Sequence, residues 1–393
     1  MKRIVLIFVC SIFLSTLTGC WDRVEVNDLA IITSTAIDRM EDGRTMISVQ
    51  LFIPRAITSG EKGEDPSKGS TFVREATGDN VANAVSRLQD KVPRRLFWGH
   101  CKVYIFGEEY AKNGIRNAID FLTRHPSPRG NSLLFVSKGE ANEMLALIPP
   151  LERYSTIALQ KLTQAEKGME TNLINVDMGL MGDSEAVSMP YINKLVSGEP
   201  ARKEHETIPY IEGTAVFQKD VMVGVLNMNE TRGLLWLKDS VRGSTLTIKL
   251  EDKEGEISMT PTLGNIHYSP LIKDGTWIMN LHIDMEGDIV QNETHLNLAK
   301  EETMNMLKSK FEEALKERVT QAIEKLQKDY QTDVIELGKK FHQKYPKEWH
   351  KVKQNWNEKF AEVKVNIDVH AKVRRPGYVG PPAGLPFDEV EEY

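Results

Sequence analysis

The run Ala299–Tyr330, AKEETMNMLKSKFEEALKERVTQAIEKLQKDY, carries the strongest periodicity in the chain. Its apolar residues Met304, Leu307, Phe311, Leu315, Val319, Ile323, Leu326 and Tyr330 recur at intervals of three or four. Side chains at those intervals share one face of an α-helix. The spacing predicts a helix of roughly 45 Å at 1.5 Å per residue. Lys and Glu occupy the other faces in balanced numbers, whereas a helix lying on a membrane would carry an excess of Lys and Arg. A helix packed on a sheet is therefore expected. Downstream, Val363, Val365, Ile367 and Val369 alternate on one face of a final strand spanning 363–373. Trp349, Trp356 and Phe360, between the helix and that strand, are expected in the core.

Upstream lie the sheet candidates. Thr245 to Leu250, Glu256 to Met259, Gly264 to Tyr268 and Trp277 to Ile283 show strand composition. Before them, Gly213 to Phe217 and Met222 to Leu226 flank the short Lys219-Asp220 joint and predict a hairpin. A short helix is expected after Asn229, over Arg232 to Leu237. The N-terminal half opens with another hairpin across 28–54, turned at Glu41-Asp42-Gly43, where glycine tolerates positive φ. Thr71–Val73, Leu96–Trp98, Lys102–Phe106 and Ser132–Val136 are further strands. Asp79 is the expected N-cap of a helix carrying Val81, Ala84, Val85 and Leu88. Glu108 to Arg124 predicts one continuous helix, and Glu140 to Leu147 a short one. The fold class expected is α+β: a multi-domain chain with mixed and antiparallel sheets, and a long amphipathic helix packed on the C-terminal sheet. The expected division is a leader at 1–19, an N-terminal α+β domain at 20–150, a middle region at 151–205 that is a candidate small domain, a C-terminal α+β domain at 206–375 and a Pro/Gly-rich tail at 376–393.

Composition narrows the function classes. The chain has 393 residues, 40% hydrophobic and 27% charged, with a formal net charge of -6. A mild acidic balance carries no footprint for nucleic acid. Lys2 and Arg3 precede an uncharged apolar run, Ile4 to Leu17. As a helix it reaches only about 21 Å, short of a hydrocarbon core of about 30 Å. The run therefore suits a signal peptide. It ends in Leu17-Thr18-Gly19-Cys20, which resembles a bacterial lipoprotein signal, and that implies cleavage before Cys20 and lipidation of its thiol. Two acyl chains would give stable anchoring to a lipid bilayer where one is marginal. Cleavage would take the charge from -6 to -8, since Lys2 and Arg3 are both lost. Of the 3 cysteines, Cys10 would go with the leader and Cys20 would carry lipid. Cys101 is left without a disulfide partner and is expected to be a buried apolar residue.

No catalytic, cofactor or metal constellation is expected. HExxH, GxSxG, the P-loop and GxGxxG are all absent from the sequence. The 9 histidines are dispersed, and His100-Cys101 is the only adjacent pair of soft ligands. Two basic clusters stand out. Arg94-Arg95-Leu96-Phe97-Trp98-Gly99-His100 joins paired guanidiniums to aromatics, and Arg124-His125-Pro126-Ser127-Pro128-Arg129 is a rigid basic loop. Arginine with aromatic residues is enriched at interface hot spots. Arg94, Arg95, Trp98, Arg124 and Arg129 are the candidate partner interface, against the alternative of internal ion pairing and strand packing.

Several stretches together resemble one family. Gly19-Cys20-Trp21-Asp22, followed by Glu25-Val26-Asn27-Asp28-Leu29-Ala30, is similar to the start of the Ger(x)C family, the lipoprotein C subunits of spore germinant receptors. Residues 95–107, 114–124, 213–237 and 333–349, with Trp356 and Phe360, are similar to further family stretches, and Arg374-Arg375-x-Gly377 to its C-terminal end. The resemblance spans nearly all the chain after the leader. It implies a three-domain α+β lipoprotein without known enzymatic activity, lying on the outer face of the spore's inner membrane with two integral membrane subunits as partners and taking part in the response to nutrients. Three domains imply a further boundary, placed near Leu151. Cys20 is the one functional residue the resemblance carries over. Two other classes compete. A solute-binding lipoprotein feeding a transporter needs two βα-repeating lobes around a cleft, and no such repeat is seen. A tethered hydrolase needs a constellation formed only in three dimensions, such as His100 or His125 beside carboxylates.

Overall fold

The computed structural model describes residues 25–53, 70–165, 168–195, 207–240, 244–251 and 254–374. The expected leader, Cys20 and the Pro/Gly-rich tail lie outside them. Two sheets organise these residues, one of nine strands and one of four.

The first sheet begins with β1 (Leu29–Arg39) and β2 (Thr45–Phe52), the expected hairpin, with Gly43 at φ 83° in its turn. β3 (Thr71–Gly78) pairs with β2 and leads into α1 (Val81–Asp90). Asn80, not Asp79, caps α1: its side chain accepts from the Asn83 N–H at 2.9 Å. β4 (Arg95–Phe97) and β5 (Val103–Gly107) both run parallel to β1, separated by a single 3₁₀ turn at Trp98–His100. The expected helix over 108–124 is two, α2 (Glu108–Asn113) and α3 (Arg116–Arg124). Gly114 separates them at φ 109°, a conformation that side-chain-bearing residues avoid. β6 (Leu133–Ser137), α4 (Asn142–Ala146), α5 (Ser155–Gln164), α6 (Leu173–Leu180) and β7 (Ala186–Lys194) follow. β8 (Pro209–Gln218) and β9 (Val221–Leu226) form the hairpin expected around Lys219-Asp220.

The strand order is β3-β2-β1-β5-β6-β7-β8-β9, with β4 beside the start of β1. β7, from the middle region, and β8 and β9, grouped by the sequence reading with the C-terminal part, are thus consecutive members of the first sheet. Its central strands are apolar on both faces because both faces are covered. Tyr104, Phe106, Leu134 and Val136 meet α1, α3 and α6 on one side. Val103, Ile105 and Phe135 meet α4 and α5 on the other. Gln50, buried in β2, donates to the Leu145 carbonyl at 2.8 Å and accepts from Thr156 at 2.8 Å, which docks α5.

The second sheet has order β10-β11-β12-β13. α7 (Met228–Leu237) precedes β10 (Leu246–Lys249). β11 (Glu256–Lys273) and β12 (Thr276–Asn292) make one long hairpin, with positive φ at both Asp274 and Gly275 in its turn. The expected strands 256–259 and 264–268 are therefore one. β10 covers only Glu256–Met259 of β11, so beside Pro261 and Pro270 the edge of β11 opposite β12 has no paired strand among the described residues, the setting in which a sheet tolerates proline. After β12 comes the long helix, α8 (Glu301–Glu324), which widens into a π-helical turn at Lys325–Tyr330. Leu307, Phe311, Leu315, Val319, Ile323 and Leu326 are buried, as the periodicity predicts. α9 (Leu337–Lys344), α10 (Pro346–Val352) and α11 (Trp356–Glu362) lead to β13 (Lys364–Arg374), parallel to β12. The inner face of the sheet presents Met279, Leu281, Ile283, Val369 and Ala371 to this helical layer. Trp349, Trp356 and Phe360 are buried in it, as expected. At Gly233 of α7 a Cβ would lie 2.5 Å from the Arg318 carbonyl, so glycine there permits close approach of α7 and α8.

One carboxylate joins the two parts. Asp333 is wholly buried after the π-helical turn. It accepts from the Leu337 N–H (2.9 Å), the Gly338 N–H (2.7 Å), Ser184 Oγ (2.7 Å) and Trp356 Nε1 (2.9 Å). Ser184 lies two residues before β7 of the first sheet, while the other donors belong to the helices over the second. Burial pushes the Asp333 carboxyl above the ordinary carboxylate range, against the pull of its donors. Nearby, His342 Nδ1 meets Asp183 Oδ2 at 2.8 Å, and Tyr330 Oη donates to the Val225 carbonyl at 3.0 Å. Asp333→Ala would leave two backbone N–H groups and an indole N–H buried without acceptors, at about 1–3 kcal/mol each. Urea unfolding should show a loss of at least about 3 kcal/mol, with a smaller loss in Asp333→Asn.

Candidate partner-binding surface

The basic cluster around Arg94 lies where β1 enters the first sheet. Leu29 and Ile31 pair with Arg95 and Phe97, so β4 is pinned to the first residues of β1. Gln89, on the last turn of α1, holds the approach to β4. Its amide donates to the Val92 carbonyl (3.2 Å) and the Arg94 carbonyl (2.9 Å), and its oxygen accepts from the Leu96 N–H (3.0 Å). That clasp leaves the Arg94 and Arg95 side chains exposed.

Two grooves flank the start of β1. One, of about 640 Å³, is lined by Val85, Gln89 and Asp90 of α1, Arg95 to Trp98, and His125 to Ser127. The other, of about 550 Å³, is lined by Leu51–Ile53, Phe72 and Val92–Arg94. Leu29 belongs to both. Phe72 is 38% exposed, and the Arg74 guanidinium lies 4.8 Å from its ring centre.

The five candidate residues separate by exposure. Arg94, Arg95, Arg124 and Arg129 are exposed, whereas Trp98 is buried. Trp98 is thus the floor of the larger groove rather than a projecting contact. Its ring meets His125 edge-on at 5.7 Å between centres, and Phe121 backs His125 at 5.5 Å. His125 Nδ1 accepts from the Ser127 N–H at 3.3 Å, which places the proton of the neutral ring on Nε2. Partial burial holds the imidazole below its ordinary pKa. Arg124 pairs with Asp120 one turn back, at 2.6 Å. Arg94, Arg95 and Arg129 have no ion pair with another described residue. Asp90 and His125 line one groove without a hydrogen bond between them, so they are not a prearranged acid–base pair. Cys101 is wholly buried behind this surface, and burial pushes its thiol up to about 11. The role of Gln89 was not visible in the sequence, because a glutamine on a helix gives no sign of which loop it will hold.

Comparison with known proteins places the fold. A model described as "Spore germination protein N-terminal domain" matches residues 22–194. One described as "Spore germination B3/ GerAC like, C-terminal" matches 212–377. The chain belongs to the spore germination GerAC family. The putative spore germination protein YfkR of Bacillus subtilis (strain 168) is 25% identical, over 89% of this chain and 91% of that one. Spore germination protein KC of the same organism is 24% identical over 92% and 93%. Spore germination protein B3 is 23% identical over 93% and 96%. The crystal structure of the GerBC protein superposes with a TM-score of 0.56 at 19% identity, covering 86% of this chain and 96% of that one. The resemblance read from the sequence is therefore correct at the level of family, and the mixed α+β fold with it. Among the described residues, no helix is long and apolar enough to cross a membrane.

Gln89→Ala should loosen the Val92–Leu96 approach without unfolding the sheet. Hydrogen exchange at the Leu96 amide is expected to speed up by at least about tenfold, one lost hydrogen bond being worth about 1.4 kcal/mol. Amides of β5 should be unchanged.

Proposed function

We propose that the chain is a membrane-anchored lipoprotein subunit of a spore germinant receptor, acting through contacts with integral membrane subunits. Family membership carries this reading: both germination models match, and the curated germination relatives align over about nine-tenths of the chain. The lipoprotein signal at Leu17–Cys20 supports an anchor on the outer face of the spore's inner membrane. Cys20 is five residues before Glu25. Five residues extend at most about 18 Å, so an anchor at Cys20 would keep Glu25, four residues before β1, within about that distance of the bilayer. The grooves beside Leu29 and the exposed Arg94 and Arg95 would then face the membrane-proximal side. On an acidic chain, guanidiniums with no ion pair among the described residues suit acidic side chains of a neighbouring subunit. The reading assigns the chain no catalytic step and no cofactor.

Cys20→Ala should move the protein from the membrane to the soluble fraction and impair nutrient-triggered germination. Normal germination with a wholly soluble variant would overturn the tethering claim. Arg94→Glu with Arg95→Glu should keep membrane association and change unfolding by less than about 0.5 kcal/mol, since both side chains are exposed. The double variant should slow germination and reduce co-purification with the membrane subunits.

A further inference from the structure

The outer face of β12 and β13 carries a ladder of polar pairs. Asn366 Nδ2 donates to Asn280 Oδ1 at 2.8 Å, and Lys372 Nζ pairs with Glu286 at 3.1 Å. Between these matched rungs the register sets His282 opposite Asp368, and Asp284 opposite His370. H-x-D on one strand thus faces D-x-H on its parallel neighbour. In the sequence the 9 histidines are scattered, and no metal-ligand set is expected from their spacing. The parallel crossover brings two of them together, with ring centres 4.7 Å apart.

The central rungs are not balanced as the others are. His282 Nδ1 lies 3.1 Å from Asp368 Oδ2, and its Nε2 lies 3.5 Å from Asp284 Oδ1. His370 Nε2 lies 3.3 Å from the same Asp368 oxygen. A neutral imidazole has one N–H, so two neutral rings supply two protons for three contacts. One nitrogen lone pair is then left facing a carboxylate oxygen. A cation resolves the deficit.

We propose that His282 Nδ1, Asp368 Oδ2 and His370 Nε2 form a binding site for a divalent metal of the Zn²⁺ class. Two imidazole nitrogens and one carboxylate oxygen suit Zn²⁺ and its borderline neighbours. Tetrahedral bonds of about 2.0–2.1 Å set ligand atoms about 3.3 Å apart. Two of the three edges are already 3.1 and 3.3 Å, and all three ligand atoms lie within 4.8 Å of one another. All three side chains are at least 44% exposed, so a ring rotation closes the third edge without disturbing the core. With metal on Nδ1, His282 keeps Nε2–H for Asp284, the carboxylate–histidine–metal relay that orients a ligand ring. Three protein ligands leave a coordination position open to water.

Zn²⁺ should be titrated calorimetrically into the full chain in detergent at pH 7.5, with Co²⁺ followed by visible d–d absorption. One ion per chain and a tetrahedral Co²⁺ spectrum are expected. His282→Ala and His370→Ala should each weaken binding by well over tenfold, and Asp284→Asn, a positioning change, by about tenfold. His295→Ala, an exposed histidine in the loop before α8, should leave binding unchanged. No saturable binding, or binding that survives His282→Ala with His370→Ala, would overturn the site. So would an equal loss in His295→Ala. The metal-free variants should unfold at the wild-type midpoint, so that lost binding is not lost folding.

Discussion

A single buried carboxylate constrains how the two sheets meet. Asp333 is out of water with four donors around it, and those donors come from segments that share no local sequence. An isolated carboxylate in such a place would be intolerable, and a protonated one would waste the donors. The site is consistent only when Ser184, the start of α9 and the Trp356 indole all converge on it. That requirement fixes the turn after the long helix, and with it the docking of Tyr330 over Gly224 of β9. It also orients Trp356 among Trp277, Phe341 and Trp349, whose rings lie 4.7 to 6.0 Å from it. The aromatic cluster supplies apolar burial, while the carboxylate selects one geometry from the many that burial alone would accept.

Around this joint the two halves use different logic. The first sheet buries both faces and places its irregular features at the rim, where β4 and the 3₁₀ turn at Trp98 sit beside the entry of β1. The second covers one face with α8 and leaves the other as a polar ladder. The surfaces suited to recognition therefore arise where a face or an end of a sheet remains uncovered. Membership of the germination family explains the persistence of the architecture at about 24% identity, since packing tolerates substitution that keeps volume and pattern.

Much of this was legible because its periodicity has only one interpretation. The face from Leu307 to Leu326 and the alternation from Val365 to Val369 each match one period and no other. The long hairpin was less clear: Pro261, Gly264 and Pro270 look like breaks, and only the pairing shows that the edge beside them is free. Asp274-Gly275 forms the turn that joins the strands, a local signal the strand candidates did not include. The helix at 108–124 was overextended because its apolar face continues past Gly114, whose φ overrides it. The arginines were visible as a cluster, but their separation from buried Trp98 depends on tertiary exposure. His282 and Asp368 are 86 residues apart, and only the register of a parallel pair sets them opposite each other.

The position of β1 has a mechanical corollary. The first strand of the described chain is not at a sheet edge: β2 bonds it on one side, and β4 and β5 on the other. A tether attached upstream of Leu29 therefore pulls along the axis of an interior strand. Its hydrogen bonds run across that axis and must yield together in shear, instead of peeling away one at a time. A load arriving there would be shared among the interior strands of the first sheet.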